Sequence, residues 1–71
     1  MARLENMGVK VLRKHENFII GTRVEMTRKM TIKGTIIYAV VITNMNTGRH
    51  YKILTFAGIK DAFETYKQAI A

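Results

Sequence analysis

Apolar positions recur every second residue through most of this chain and every third or fourth residue near its end. The later pattern is the sharper one. Ile59, Ala62, Phe63, Tyr66, Ala69 and Ile70 form one continuous helical stripe. Lys60, Asp61, Glu64, Thr65, Lys67 and Gln68 fill the rest of the circumference, so the spacing predicts an amphipathic helix over residues 57–70. Asp61 falls in the first turn and Lys67 near the last, each on the side that the helix dipole favours. Lys60 and Glu64 are spaced to pair across one turn.

Upstream, the period of two predicts strands over residues 8–55. In "GVKVLRK" Val9 and Val11 fall on one side and Lys10 and Leu12 on the other, which reads as a short strand. "HEN" at residues 15–17 reads as a turn. Residues 18–29 read as a half-buried strand, with Ile20, Thr22, Val24 and Met26 on one face and Arg23, Glu25 and Thr27 on the other. Gly21 inside it marks a bulge or a close backbone approach. Residues 29–34 connect to "TIIYAVVITN", which is apolar on both faces.

The sequence "NMNTGR" then predicts a hairpin whose type I turn is closed by Gly48 in the left-handed region. Pairing Asn44 with Arg49 and counting back sets His50 opposite Thr43, Tyr51 opposite Ile42, Lys52 opposite Val41 and Ile53 opposite Val40. The core face then holds Ile36, Tyr38, Val40, Ile42, Tyr51 and Ile53. The other face holds Ile37, Ala39, Val41, Thr43, His50 and Lys52, joined by Arg23, Glu25 and Thr27. A slip of one residue would exchange these assignments. The expected class is α+β: a three- or four-stranded antiparallel sheet with one C-terminal helix packed on one face. Residues 1–71 form a single small domain, with residues 1–7 a flexible tail and the place of residues 8–14 as a fourth strand left open. A domain this short buries only about 60% of its unfolded surface.

Charge changes the picture from fold to partner. Twelve Lys and Arg against five Asp and Glu give a net charge of +7, which favours a polyanion; small domains also carry such charge simply to stay in solution. Cysteine and proline are absent, so no disulfide or cysteine-based zinc site staples the fold, as expected of a reducing, cytoplasmic setting. The start of the chain lacks the charged and apolar regions of a secretory signal. The longest apolar run, residues 36–42, is far short of the roughly 20 residues that span a bilayer. The helix also lacks the basic face that would lay it on a membrane. There is no glycine-rich phosphate loop and no serine, and the carboxylates are scattered, so neither an enzyme, a metal site nor a cofactor is expected.

A helix that reads a groove needs Arg, Lys, Asn or Gln on an exposed face, and here the outer face is nearly neutral. The helix is therefore expected to pack, leaving the strands and loops for contact. Arg23, Arg28, Lys29, Lys33, Arg49, His50 and Lys52 are the candidate nucleic-acid-binding residues. Tyr38 and Tyr51 are candidate stacking platforms for single-stranded bases, and more readily core tyrosines.

The order of elements over residues 21–70, with Thr55 and Phe56 at the strand-to-helix junction, Ala62, Tyr66 and Ala69 on the packing face, and "NTGR" from Asn46, resembles a known pattern. It is similar to the three-stranded sheet and helix of the plant ethylene-response-factor DNA-binding domain and of tyrosine-integrase arm-binding domains. That resemblance implies a helix supporting the sheet from behind and an open face docked in the major groove, with Arg23, Lys52 and His50 at the contacting strand positions. The chain has no tryptophan, unlike the plant domains, and Ile37, Ala39 and Val41 occupy the expected reading face. The expected function is a non-catalytic accessory or regulatory factor of a phage or bacterium that binds duplex DNA. The alternatives are a protein-interaction or host-enzyme inhibitor factor, with a protein partner or homodimer on the apolar sheet face or a strand edge, and a single-strand binder.

Overall fold

The computed structural model describes residues 9–71 and shows an α+β fold, four antiparallel strands with one helix packed against them. Strands β1 (Val9–Asn17), β2 (Thr22–Met30), β3 (Ile36–Asn44) and β4 (His50–Phe56) follow one another across the sheet in chain order, and α1 (Ile59–Ile70) ends the chain. The N-terminal segment is thus a full fourth strand from Val9. The expected tail, residues 1–7, and Gly8 lie outside the described residues.

Each connection is a short turn, and the first differs from expectation in an instructive way. "HEN" continues β1; the chain reverses after it, at residues 18–21. The Asn17 side-chain oxygen accepts the N–H groups of Ile19 (3.0 Å) and Ile20 (3.3 Å), building the turn beyond the asparagine. Ile20, expected on the core face, is in consequence exposed. Gly21 closes this turn at φ +68° and makes a close approach rather than a bulge: a Cβ there would meet the Asn46 side chain at 2.9 Å. The β3–β4 hairpin has its glycine in the expected place, Gly48 at φ +77°, with Asn44 N–H donating to the Arg49 carbonyl at 2.8 Å.

Beyond that turn the register departs from simple counting. His50 pairs with Thr43, but Lys52 faces Ile42 and Ile53 faces Val41, because Tyr51 is an extra residue in β4. Tyr51 and Ile53 therefore leave the core, at 62% and 53% exposed, and Lys52 moves to the helix side of the sheet. The bulge lets Leu54 and Phe56, the residues just before the helix, face it across from Val40 and Tyr38. A second irregularity at Leu12 sets both Leu12 and Arg13 toward the helix.

Val24, Met26, Val40, Ala62 and Tyr66 are the buried core, flanked by Leu12, Tyr38, Ile42, Phe56, Phe63 and Ile70. Of the predicted helical stripe, Ile59 and Ala69 stay exposed. Lys67 pairs with Glu64 at 3.1 Å in place of the expected Lys60–Glu64 contact. The helix lies across β2, β3 and β4; toward β1 it offers Phe63, whose ring sits 5.2 Å beneath the Arg13 guanidinium.

Candidate functional site

Alternation and register together sort every strand residue to one of two surfaces. On the side away from the helix, successive cross-strand rows read Val9–Lys29–Ile37, Val11–Thr27–Ala39–Thr55, Lys14–Glu25–Val41–Ile53 and Glu16–Arg23–Thr43–His50. The first three rows carry an apolar band, and the last is polar. In it the Arg23 guanidinium lies 3.8 Å from Glu16 and 3.6 Å from Glu25. Arg23 Nε is buried without a hydrogen bond, since 3.6 Å is too long for one. Thr43, 1% exposed, sets its hydroxyl 3.0 Å from His50 Nδ1. Counting Lys14, Arg23 and Lys29 against Glu16 and Glu25, this face is close to neutral.

The seven candidate residues do not form one cluster. Arg23, Lys29 and His50 share the open face. Arg28, opposite Tyr38, and Lys52, opposite Ile42, project to the helix side. Lys33 and Arg49 sit in turns at opposite ends of the sheet. Arg23, held between two carboxylates, is the least available of the seven. Tyr38 is half-buried on the helix side, and Tyr51, at the bulge, is exposed with its hydroxyl accepting from Asn44 Nδ2 at 3.3 Å.

A different grouping emerges at the β1 edge. Lys10 pairs with Arg28, and Val9 with Lys29, which brings the start of β1 beside the end of β2; Lys33 follows in the next turn. Arg13 and Lys60 flank a groove of about 470 Å³ between β1 and α1, floored by Leu12, Met26, Ile59 and Phe63. Among the described residues, Lys10, Arg13, Lys14, Arg28, Lys29, Lys33 and Lys60 have no carboxylate within ion-pair distance. The candidates read from sequence omit Lys10, Arg13, Lys14 and Lys60, because only the pairing of β1 on β2, and the helix crossing, bring them to the same side of the molecule as Arg28 and Lys29. Among the described residues no three His, Asp or Glu converge as a metal site would require, and no helix is long and apolar enough to cross a membrane.

No protein-family model, curated protein or solved structure matches this chain.

Proposed function

We propose that this chain is a small, non-catalytic protein that binds duplex DNA along the β1 edge of its sheet. One observation carries the proposal: β1 and the end of β2 beside it gather Lys10, Arg13, Lys14, Arg28 and Lys29, with Lys33 in the turn that follows, none paired with a carboxylate among the described residues. The helix lies mainly over β2, β3 and β4 and meets β1 only around Leu12 and Arg13, so at the outer edge of β1 the protein thins toward a single sheet layer, about 10 Å thick. That matches a major groove about 12 Å wide, whereas the open face of four strands is too broad to enter it flat. Docking through the open face is the weaker geometry also because that face is nearly neutral and Arg23 is already engaged.

Six such contacts predict that log K falls with log salt at a slope of about −5, roughly a thousandfold between 50 and 200 mM. Fluorescence anisotropy of a labelled duplex tests this. Lys10→Ala, Arg28→Ala and Lys29→Ala are each expected to reduce the slope by about one. Absence of micromolar binding at low salt sinks the proposal; binding with unchanged slopes in all three variants moves the contact elsewhere.

A second function is favoured by the apolar band of the open face, where Val9, Val11 and Ile53 are 39%, 49% and 53% exposed around Ile37, Ala39 and Val41. It is self-association of two copies through that face. Light scattering that finds the same monomer mass for wild type and Val41→Glu at every concentration removes it.

A further inference from the structure

The β1–β2 turn presents three consecutive large apolar side chains to solvent: Phe18 is 78% exposed, Ile19 95% and Ile20 66%. Single exposed apolar residues are ordinary, but a run of three on one tight turn is a liability unless something covers it. This turn is also well held. Asn17 accepts two of its N–H groups, the Gly21 carbonyl accepts Met45 N–H at 2.9 Å, and Asn46 packs directly against Gly21. The neighbouring hairpin thereby braces the tip, so little ordering entropy remains to oppose insertion into a partner.

Its surroundings are cationic. Arg49 stands in the bracing turn, Lys14 lies on β1 four residues before Phe18, and Lys52 lies on β4 toward the other edge of the sheet, all three without a carboxylate partner among the described residues. The nearest acid, Glu16, faces Arg23 at 3.8 Å. An apolar point with positive charge behind it is complementary to a surface whose interior is apolar and whose rim is anionic, which describes stacked bases between two rows of phosphates.

We propose that Phe18 and Ile19 act as a wedge that enters a base step of the bound duplex and kinks it, with Arg49, Lys14 and Lys52 on the flanking phosphates. This rests on the duplex-binding function proposed above and adds a deformation to it. Apolar side chains inserted in this way unstack a step and bend the helix by roughly 20–90°, and flexible pyrimidine–purine steps yield most readily. An anionic bilayer shares the same charge pattern. Three side chains, however, offer it about as much as one acyl chain, which by itself attaches only marginally and reversibly.

The test uses a duplex of about three helical turns carrying donor and acceptor dyes at its ends and 2-aminopurine at a central TA step, saturated with protein at low salt. Wild-type protein is expected to shorten the end-to-end distance and raise 2-aminopurine emission. The Phe18→Ala/Ile19→Ala variant, altered only at exposed positions, is expected to bind and leave the duplex straight. A duplex that is bound but stays straight with wild type, or bends equally with the variant, overturns the wedge and spares the binding function. No duplex binding at all overturns both. Tip-dependent binding to phosphatidylserine vesicles, without tip-dependent bending, assigns the turn to a lipid surface and also overturns the wedge.

Discussion

The two faces of β3 are built from nearly the same residue types and have opposite fates. Val40 and Val41 are neighbours in β3; one is fully buried beneath the helix and the other is half-buried on the open side. Tyr38, Val40 and Ile42 alternate with Ile37, Ala39 and Val41, so β3 by itself gives no hint of which side is the core. What separates the faces is supplied by other elements. Met26 and Val24 of β2 and Ala62 and Tyr66 of α1 converge on one side, while the opposite side carries threonines, paired charges and an apolar band with nothing from α1 over it. Burial of the apolar strand residues is therefore decided by the helix, and strand hydrophobicity merely permits it; Thr43, a polar residue, is buried on the open side without the helix.

The largest expected contrast lies between Tyr66, 5% exposed in the helix, and Ile53, 53% exposed on the open face. Tyr66→Ala removes a ring from the centre of the core and should cost about 3–5 kcal/mol, by analogy with other buried aromatic truncations. At about 0.05–0.15 kcal/mol per residue, that is a large share of the stability of a chain this short. Ile53→Ala should cost less than about 1 kcal/mol. Urea unfolding of both variants measures the difference. A cost for Ile53→Ala close to that of Tyr66→Ala would mean that the open face is covered in solution.

The cleaner comparison keeps the chemistry constant. Val40→Ala deletes the same two methyl groups as Val41→Ala, one residue away and on the opposite face. Fully buried methyls are worth about 0.8 kcal/mol each, and an unfilled cavity adds to that, so Val40→Ala should cost about 2–3 kcal/mol. Val41→Ala leaves no closed cavity and should cost about 1 kcal/mol or less. Equal shifts in the urea midpoint would break the claim that the helix alone selects the core.

Much of this fold was legible from the spacing of a few residues. The stripe through Ala62, Phe63 and Tyr66 marks a packing helix, and Gly48 in "NTGR" marks its hairpin because only a glycine takes that left-handed position without strain. Two features escaped for local reasons. The turn at residues 18–21 hides behind apolar residues, because the polar atom that builds it belongs to Asn17, one residue earlier. The Tyr51 bulge leaves no signature of its own: alternation of Tyr51 and Ile53 is as good as that of Leu54 and Phe56, and the nearness of the latter pair to the helix decides. That bulge places Lys52 on the helix side, opposite the face that simple counting gives it. The cationic β1 edge was only half legible, since Arg28, Lys29 and Lys33 lie close in sequence whereas Lys10 joins them through strand pairing.

The smallest expected effect concerns the polar row that ends the open face. Arg23 lies between Glu16 and Glu25, with side chains 34%, 30% and 21% exposed. At distances of 3.6 and 3.8 Å these are Coulombic contacts, weakened by the remaining solvent. A double-mutant cycle with Arg23→Met and Glu16→Gln should give a coupling below about 1 kcal/mol that shrinks further in high salt. Arg23→Met alone should cost more than that coupling, because two carboxylates lose their shared cation beside the buried Thr43 that Arg23 faces across the strand pair. A coupling of several kcal/mol, insensitive to salt, would mean that this row is dry in solution. The open face would then be closed by a partner or a second copy, and the two faces of the sheet would not differ as they do in the isolated chain.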